Sequence, residues 1–256
     1  MEHSNKSAAF NLGLTIFIFL AVLTGLEFFV AVVLDAVPIL VAIALVKGGL
    51  VLYYYMHISK LGAVEDDNNH KSYAYKTGTN RLGLWLFILS DSFVFAGLLT
   101  SRFNLLGLTR LHLNQFLGLA VTAVLLISSF FMNRAEISME HGDRKSFLTN
   151  TLITIILGAA FVAGVVGVEW RLAAAEGVTA SASAGGAIFY MMTGMHAFHV
   201  LSGVIFLLIV FNNARRGIYS PEKHWGVEAA TVYWHFVDVV WIFFYPALYL
   251  IGTLAS

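Results

Sequence analysis

Six ionisable side chains fall inside stretches of chain that are otherwise apolar, at spacings that suit chemistry. His196 and His199 stand three residues apart, as do His235 and Asp238, and Asp91 sits in the middle of LGLWLFILSDSFVFAGLL. A three-residue step along a helix puts both side chains on one face. The sixth, Glu228, joins Thr231, His235 and Asp238 at offsets of 0, 3, 7 and 10, so that the four form one polar stripe beside a second one made by Trp234, Trp241 and Tyr245. Histidines placed like this can share a metal or a haem between two helices, take part in a proton path, or hydrogen-bond one helix to its neighbour. The last is the commonest use of such residues and is the reading adopted, with the other two left open. Neither histidine pair has a complete ligand set of its own, so no metal ligand or cofactor-binding residue is assigned. No serine stands in a strand-elbow or SxxK context, and no catalytic residue is assigned either.

A second pair lies nearer the start of the chain. Glu27 and Lys47 are each ten residues from Val37, which precedes Pro38, a residue suited to the first turn of a helix. In an antiparallel helical hairpin, equal distance from the turn means equal depth. The spacing therefore predicts a Glu27–Lys47 ion pair within the apolar layer, the alternative being that Glu27 faces another subunit while Lys47 snorkels.

The elements that position these residues follow from composition. Of 256 residues, 59% are hydrophobic and 12% charged, about half the charge that a soluble chain of this length carries. A bilayer core needs roughly 20 apolar residues in helix. Seven runs qualify, near Phe10–Leu34, Val37–Ile58, Leu82–Ser101, Phe116–Met132, Phe147–Val168, Gly186–Phe211 and Ala229–Ile251. The fold class is therefore all-α integral membrane with seven transmembrane helices. The first run is too long for a signal-peptide core and lacks a small-residue cleavage site, so it reads as a retained anchor. Lys6, Lys60, Lys71, Lys76, Arg81, Arg134, Arg144, Lys145, Arg215, Arg216 and Lys223 fall on the side of the N-terminus, against Arg102, Arg110 and Arg171 on the other. That asymmetry predicts a cytoplasmic N-terminus and an outside C-terminus in a bacterial plasma (inner) membrane. In the third run Gly83, Ser90 and Gly97 recur every seven residues, a small-residue groove that would let another helix approach closely, with Asp91 at its edge.

Zero formal net charge leaves no basic field for nucleic acid, and the absence of cysteine removes disulfides, thiolate nucleophiles and Cys-ligated zinc or iron–sulfur clusters. The longest polar stretch, SKLGAVEDDNNHKSYAYKTGTN, separates a two-helix hairpin from a five-helix block. The domain reading is a hairpin over residues 1–62, a polar cytoplasmic linker over 63–80 and a five-helix unit over 81–256.

At WGVEAATVYWHFVDVVWIFFYPALYL, FYMMTGMHAFHVLSG and LGLWLFILSDSFVFAGLL the chain resembles subunit III of the haem–copper respiratory oxidases, the cytochrome c and quinol oxidase family. The resemblance runs from about Arg81 to Ile251. The earlier stretch VKGGLVLYYYMHISKL is similar to the small bacterial subunit IV of the same enzymes. The resemblance implies a helical bundle on the flank of the catalytic subunit, itself non-catalytic and free of cofactor, with haem and copper in the partner subunits. It implies subunits I and II and membrane lipids as partners, with room for a bound phospholipid and a larger respiratory supercomplex. By position, Asp91 matches the family's buried carboxylate, usually glutamate; His196 and His199 match its paired histidines; Glu228, His235 and Asp238 match the polar stripe of its final helix. The function implied is a non-catalytic subunit III, fused to a subunit IV-like hairpin, of a proton-pumping oxidase that reduces dioxygen to water, supporting the catalytic subunit's stability and proton uptake. The competing readings are the accessory subunit of a nitric oxide reductase and a free-standing membrane haem protein using His196, His199 and His235. Because the first two helices differ from the family's own first pair, its lipid cleft is not expected to follow automatically.

Overall fold

A computed structural model describes residues 2–34, 36–56 and 73–254. Among them seven helical spans are long and apolar enough to cross a membrane, which is the all-α integral membrane architecture that composition requires. The hairpin is α1 (Glu2–Val33) and α2 (Val37–Leu50), the latter prolonged by a π-helical turn, Val51–Tyr55. The five further spans are α3 (Tyr73–Leu106), α4 (Gln115–Glu140), α5 (Arg144–Val162) continuing through a π-helical stretch (Ala163–Glu169) into α6 (Trp170–Ala175), α7 (Ala184–Arg215) and α8 (Trp225–Tyr245). A further π-helical turn, Pro246–Leu250, closes α8, where the proline ring cannot donate to the ladder and crowds the preceding turn. His57, Lys60, Lys71 and the first part of the polar linker, residues 63–72, lie outside the described residues.

The helices outrun the apolar stretches that announce them. Asn114, Asp143 and Ser183 cap α4, α5 and α7 by accepting the amides of Leu117, Ser146 and Gly186, each at 3.0 Å. Polar residues beyond the hydrocarbon thus remain helical. The largest difference is at α3, which begins at Tyr73, so residues 73–80 are its first two turns rather than linker. There the Tyr73 hydroxyl accepts the Trp225 amide at 3.1 Å, tying the start of α3 to the start of α8.

The core forms around α8, which packs against α2, α3, α4 and α7. In the most apolar stretch of its span 78% is buried inside the chain, against 11% for α3. Trp234 and Trp241, the residues beside the polar stripe, reach α4, donating to Ser128 Oγ at 3.2 Å and Thr122 Oγ1 at 2.9 Å. Close approach of α5 is possible because residue 158 is glycine: a Cβ there would lie 2.4 Å from the Trp234 ring. The α3 groove expected from Gly83, Ser90 and Gly97 receives no helix among the described residues. Ser90 is exposed, and a Cβ on either glycine would meet nothing within 4 Å. The inward face of α3 is carried instead by Ile88, Phe95 and Arg102, also seven residues apart and all buried.

Call the end of the bundle that carries Lys6 the near end, and the end that carries Arg102 the far end. At the near end, Lys6 on α1 contacts Asp143 in the α4–α5 turn at 2.7 Å. At the far end the α3–α4 connection and the C-terminal segment form a two-residue parallel pairing, Thr109 with Thr253 and Arg110 with Leu254. Gly252, at φ 108°, permits it, since a side chain there would collide with the Leu108 carbonyl. Beneath it Arg102 is fully buried, has no acidic partner among the described residues and donates to four carbonyls: Ala247 at 2.6 Å, Gly107 at 2.7 Å, Thr109 at 2.8 Å and Ile251 at 3.1 Å.

Arg102→Met should strand those carbonyls and destabilise the folded chain by about 3 kcal/mol, each unpaired buried group costing ~1–3 kcal/mol; thermal unfolding in detergent, followed by circular dichroism, measures it. The near end responds to acid. The Lys6 ammonium and the Ser146 amide hold the Asp143 carboxyl below its usual range. Its stabilising contribution is therefore full above the ordinary carboxylate range and disappears as pH falls through the lowered value. Asp143→Asn should remove this acid-side component from the pH dependence of the melting temperature.

Candidate functional site

The polar residues of the spans meet in three places around α8. In the first, α1 and α2 place Lys47 Nζ 2.5 Å from Glu27 Oε2, the two side chains 2% and 0% exposed. Asp238 on α8, 3% exposed, lies beside Ser129 and within electrostatic reach of Lys47. Ser129 Oγ of α4 is 2.6 Å from His235 Nδ1, and the His235 ring rests 4.9 Å from that of Tyr55. Tyr55 donates its hydroxyl to the Gly13 carbonyl of α1 at 3.0 Å. Hairpin and five-helix block are thus joined through buried groups, with Tyr55 of the hairpin packed against His235 of α8 and the Glu27–Lys47 pair tying α1 to α2.

The second place lies between α3, α7 and α8. His199 Nε2 is 3.0 Å from Asp91 Oδ2, and His199 Nδ1 is 2.7 Å from the Met195 carbonyl, so both ring nitrogens meet oxygen. His196, one turn earlier on the same face, behaves differently. Hydrogen bonding across the helix interface would satisfy its ring, yet neither nitrogen has a hydrogen-bond partner among the described residues. It packs in an aromatic box, its ring centroid 4.8 Å from Trp241, 5.4 Å from Phe161 and 6.2 Å from Phe244. A three-residue step puts two histidines on one face but says nothing about what the facing helix offers, which is carboxylate for one and rings for the other.

Glu228 forms the third. Although it shares a stripe with His235 and Asp238, it lies two turns nearer the near end, where Arg81 of α3 grips both its oxygens at 2.9 and 3.2 Å. Sequence reasoning counted Arg81 only as a topology-setting charge, and Arg102 likewise. It also passed over Glu169, which ends the π-helical continuation of α5 and accepts the Tyr249 hydroxyl. A lone arginine or glutamate near the end of a span reads as snorkelling unless its partner, here about 80 to 150 residues distant, is known.

His235 faces α2 and α4, whereas His199 faces α3; the three histidines do not converge. No group of three or more His, Asp or Glu suited to holding a metal ion occurs among the described residues. The chain does have a ligand-sized space. A cleft of about 570 Å³ opens between the end of the hairpin at Leu52, the inner side of α3 at Trp85, Ser92 and Phe95, and α8 at Phe236 and Phe243. The Ser92 hydroxyl is already bonded to the Ile88 carbonyl at 2.7 Å, so the walls suit an apolar guest such as an acyl chain.

The family described as cytochrome c oxidase subunit III matches residues 3–253, hairpin included. Among curated relatives, cytochrome c oxidase subunit 3 of Thermostichus vulcanus is 33% identical over 66% of this chain and 86% of its own length. The corresponding protein of Podospora anserina is 35% identical over 70% of each chain. A probable cytochrome c oxidase subunit 3 of Nocardia farcinica is 36% identical over 55% of this chain and 68% of its own.

If the 2.5 Å contact carries the hairpin, Lys47→Met should cost about 3 kcal/mol or more, because it leaves Glu27 as an uncompensated buried charge. The double change Glu27→Leu with Lys47→Met should cost less than the single one. Unfolding of the three purified chains in detergent makes the comparison, and equal losses would mean that the two side chains are energetically independent.

Proposed function

The chain belongs to the cytochrome c oxidase subunit III family, and from that premise we propose that it is the non-catalytic flank of a proton-pumping terminal oxidase that reduces dioxygen to water. Subunits I and II are its partners, and haem and copper reside in them. Lysine and arginine asymmetry supports a cytoplasmic near end in a bacterial plasma membrane. The hairpin is read as a subunit IV-like segment fused ahead of a five-helix subunit III, the two parts joined where Tyr55 packs against His235. In this role Asp91, His196, His199, Glu228, His235 and Asp238 position helices and do not touch dioxygen. The separate directions taken by His199 and His235 argue against a free-standing haem protein, and the names of the relatives favour an oxidase over a nitric oxide reductase.

The observation that carries this reading is the outward face of α3. Gly83, Ser90 and Gly97 form a smooth strip with nothing against it among the described residues, bordered by Leu86, Phe93 and Val94, which are 57%, 71% and 44% exposed. In a membrane, small residues let another helix come close, and dispersion then replaces lipid contacts. The same helix walls the apolar cleft, so lipid acyl chains seated there would lie next to the catalytic subunit, where they could serve its stability, its proton-uptake entrance and oxygen access.

Asp91 tests the reading from the inside of this helix. Asp91→Asn keeps a polar group against His199 and should leave assembly and oxygen consumption nearly unchanged, whereas Asp91→Leu unties α3 from α7 and should lower recovery of the catalytic subunit several-fold. The measurement is pull-down through a tag on this chain, with oxygen uptake of the eluate. Normal assembly of Asp91→Asn with proton pumping abolished would refute a purely structural Asp91; wild-type chain recovered without any larger membrane subunit would refute the function.

A further inference from the structure

At the far end a cavity of about 340 Å³ opens where the α3–α4 connection, the start of α4, the end of α6 and the π-helical turn after α8 come together. It shares no lining residue with the apolar cleft beside α3. Its walls are largely polar: Arg110, His112, Asn114 and Gln115 enter from the α4 side, Glu176 from just beyond α6, and Tyr249 from the π-helical turn. Small-molecule sites span roughly 300–1,000 Å³, so this volume suits a ligand the size of a head group.

Part of the wall is committed to the fold, which fixes its shape. Asn114 caps α4, Gln115 Nε2 donates to the Tyr249 carbonyl at 2.9 Å, and Arg110 Nη1 reaches the same carbonyl at 3.3 Å. Tyr249 is 1% exposed and tied by its hydroxyl to Glu169. The remainder has capacity for a ligand. Arg110 Nε is buried and has no hydrogen-bond partner among the described residues, and the His112 and Glu176 side chains make no hydrogen bond or ion pair among them.

Charge and position narrow the ligand. The cavity holds one guanidinium and one carboxylate, so its complement is neither a bare anion nor a bare cation but a molecule that carries both charges. A guanidinium pairs with phosphate oxygens through its forked N–H groups, and a carboxylate accepts from an ammonium. Arg110 and Glu176 lie just outside the apolar spans Gln115–Glu140 and Arg144–Ala175. Phe116, also lining the cavity, lies just inside, is 75% exposed and rests 5.6 Å from the Phe28 ring of α1. An apolar surface shared by α1 and α4 therefore adjoins the cavity, which a dissolved phosphate would leave uncovered and acyl chains would cover.

We infer that this cavity binds the head group of a zwitterionic phospholipid of the phosphatidylethanolamine class, with the phosphate on Arg110 and His112, the ammonium at Glu176 and the acyl chains passing Phe116. Binding makes and breaks no covalent bond. The site is built from this chain's own residues, so its failure and the failure of the assembly proposed above are read separately.

Native mass spectrometry tests it on the complex recovered through a tag on this chain and reconstituted in nanodiscs of dioleoylphosphatidylethanolamine mixed with dioleoylphosphatidylglycerol. The wild type should retain the ethanolamine lipid several-fold in preference to the glycerol lipid, with millimolar inorganic phosphate leaving it in place. Glu176 is exposed, so its variants spare the core. Glu176→Gln should erase the preference and Glu176→Arg should turn it toward the glycerol lipid, while Arg110→Gln should lower retention of both lipids several-fold. Arg110 also holds the Tyr249 carbonyl, so the two Glu176 variants decide the matter if Arg110→Gln fails to assemble. Absence of a preference in the wild type overturns the proposal, and so does a preference that survives both Glu176 variants. Displacement of the lipid by phosphate would make this a free-anion site, and loss of an accompanying protein chain from Glu176→Arg in place of lipid exchange would make it a protein contact; either result overturns it as well.

Discussion

The cost of an unpartnered polar group in hydrocarbon governs this chain. A helix satisfies its own backbone, which makes each span individually tolerable in lipid, but the side chains of Glu228, His235, Asp238, Trp234 and Trp241 on α8 need partners from other helices. The partners come from other helices: Arg81 of α3 for Glu228, and Ser129, Ser128 and Thr122 of α4 for His235, Trp234 and Trp241. A single such contact within a membrane is worth only about 0.6 kcal/mol on average. Their joint effect is on register, because sliding or rotating α8 would strand several polar groups at once. Burial of α8 is therefore a consequence of its polar stripe as much as of its aromatic one.

Two buried cations illustrate different solutions to one problem. Arg102 is matched by four carbonyl dipoles, supplied by a loop, a π-helical turn and the C-terminal segment. The guanidinium has donors enough to serve each of them. Lys47 lies within a helix, where backbone carbonyls are committed to the helical ladder, so it is matched by the Glu27 carboxylate instead.

The interior leaves one side of the bundle unfinished. The inward face of α3 is committed to α7 and α8 through Ile88, Phe95 and the Asp91–His199 contact, while its outward face and the adjoining cleft are smooth and apolar. A chain organised like this has its fixed points inside and its contact surface at one edge, in keeping with the proposed place beside a larger catalytic subunit.

By itself the sequence determined the seven spans, the antiparallel hairpin and the pairing of Glu27 with Lys47, because apolar length and distance from Val37 are local quantities. It also determined that His235, Asp238 and Glu228 share a stripe, since helical periodicity needs no tertiary information. Only the tertiary structure decided what each member meets: Glu228 an arginine, His235 a serine and a tyrosine ring, His199 a carboxylate, and His196 an aromatic box in place of a hydrogen bond. It also turned the Gly83, Ser90 and Gly97 strip outward, where periodicity could establish a groove but not its occupant. Arg102 and Glu169 were illegible for the same reason: the free energy of a buried charge depends on partners remote in the chain, and spacing along one helix does not encode which helix lies opposite.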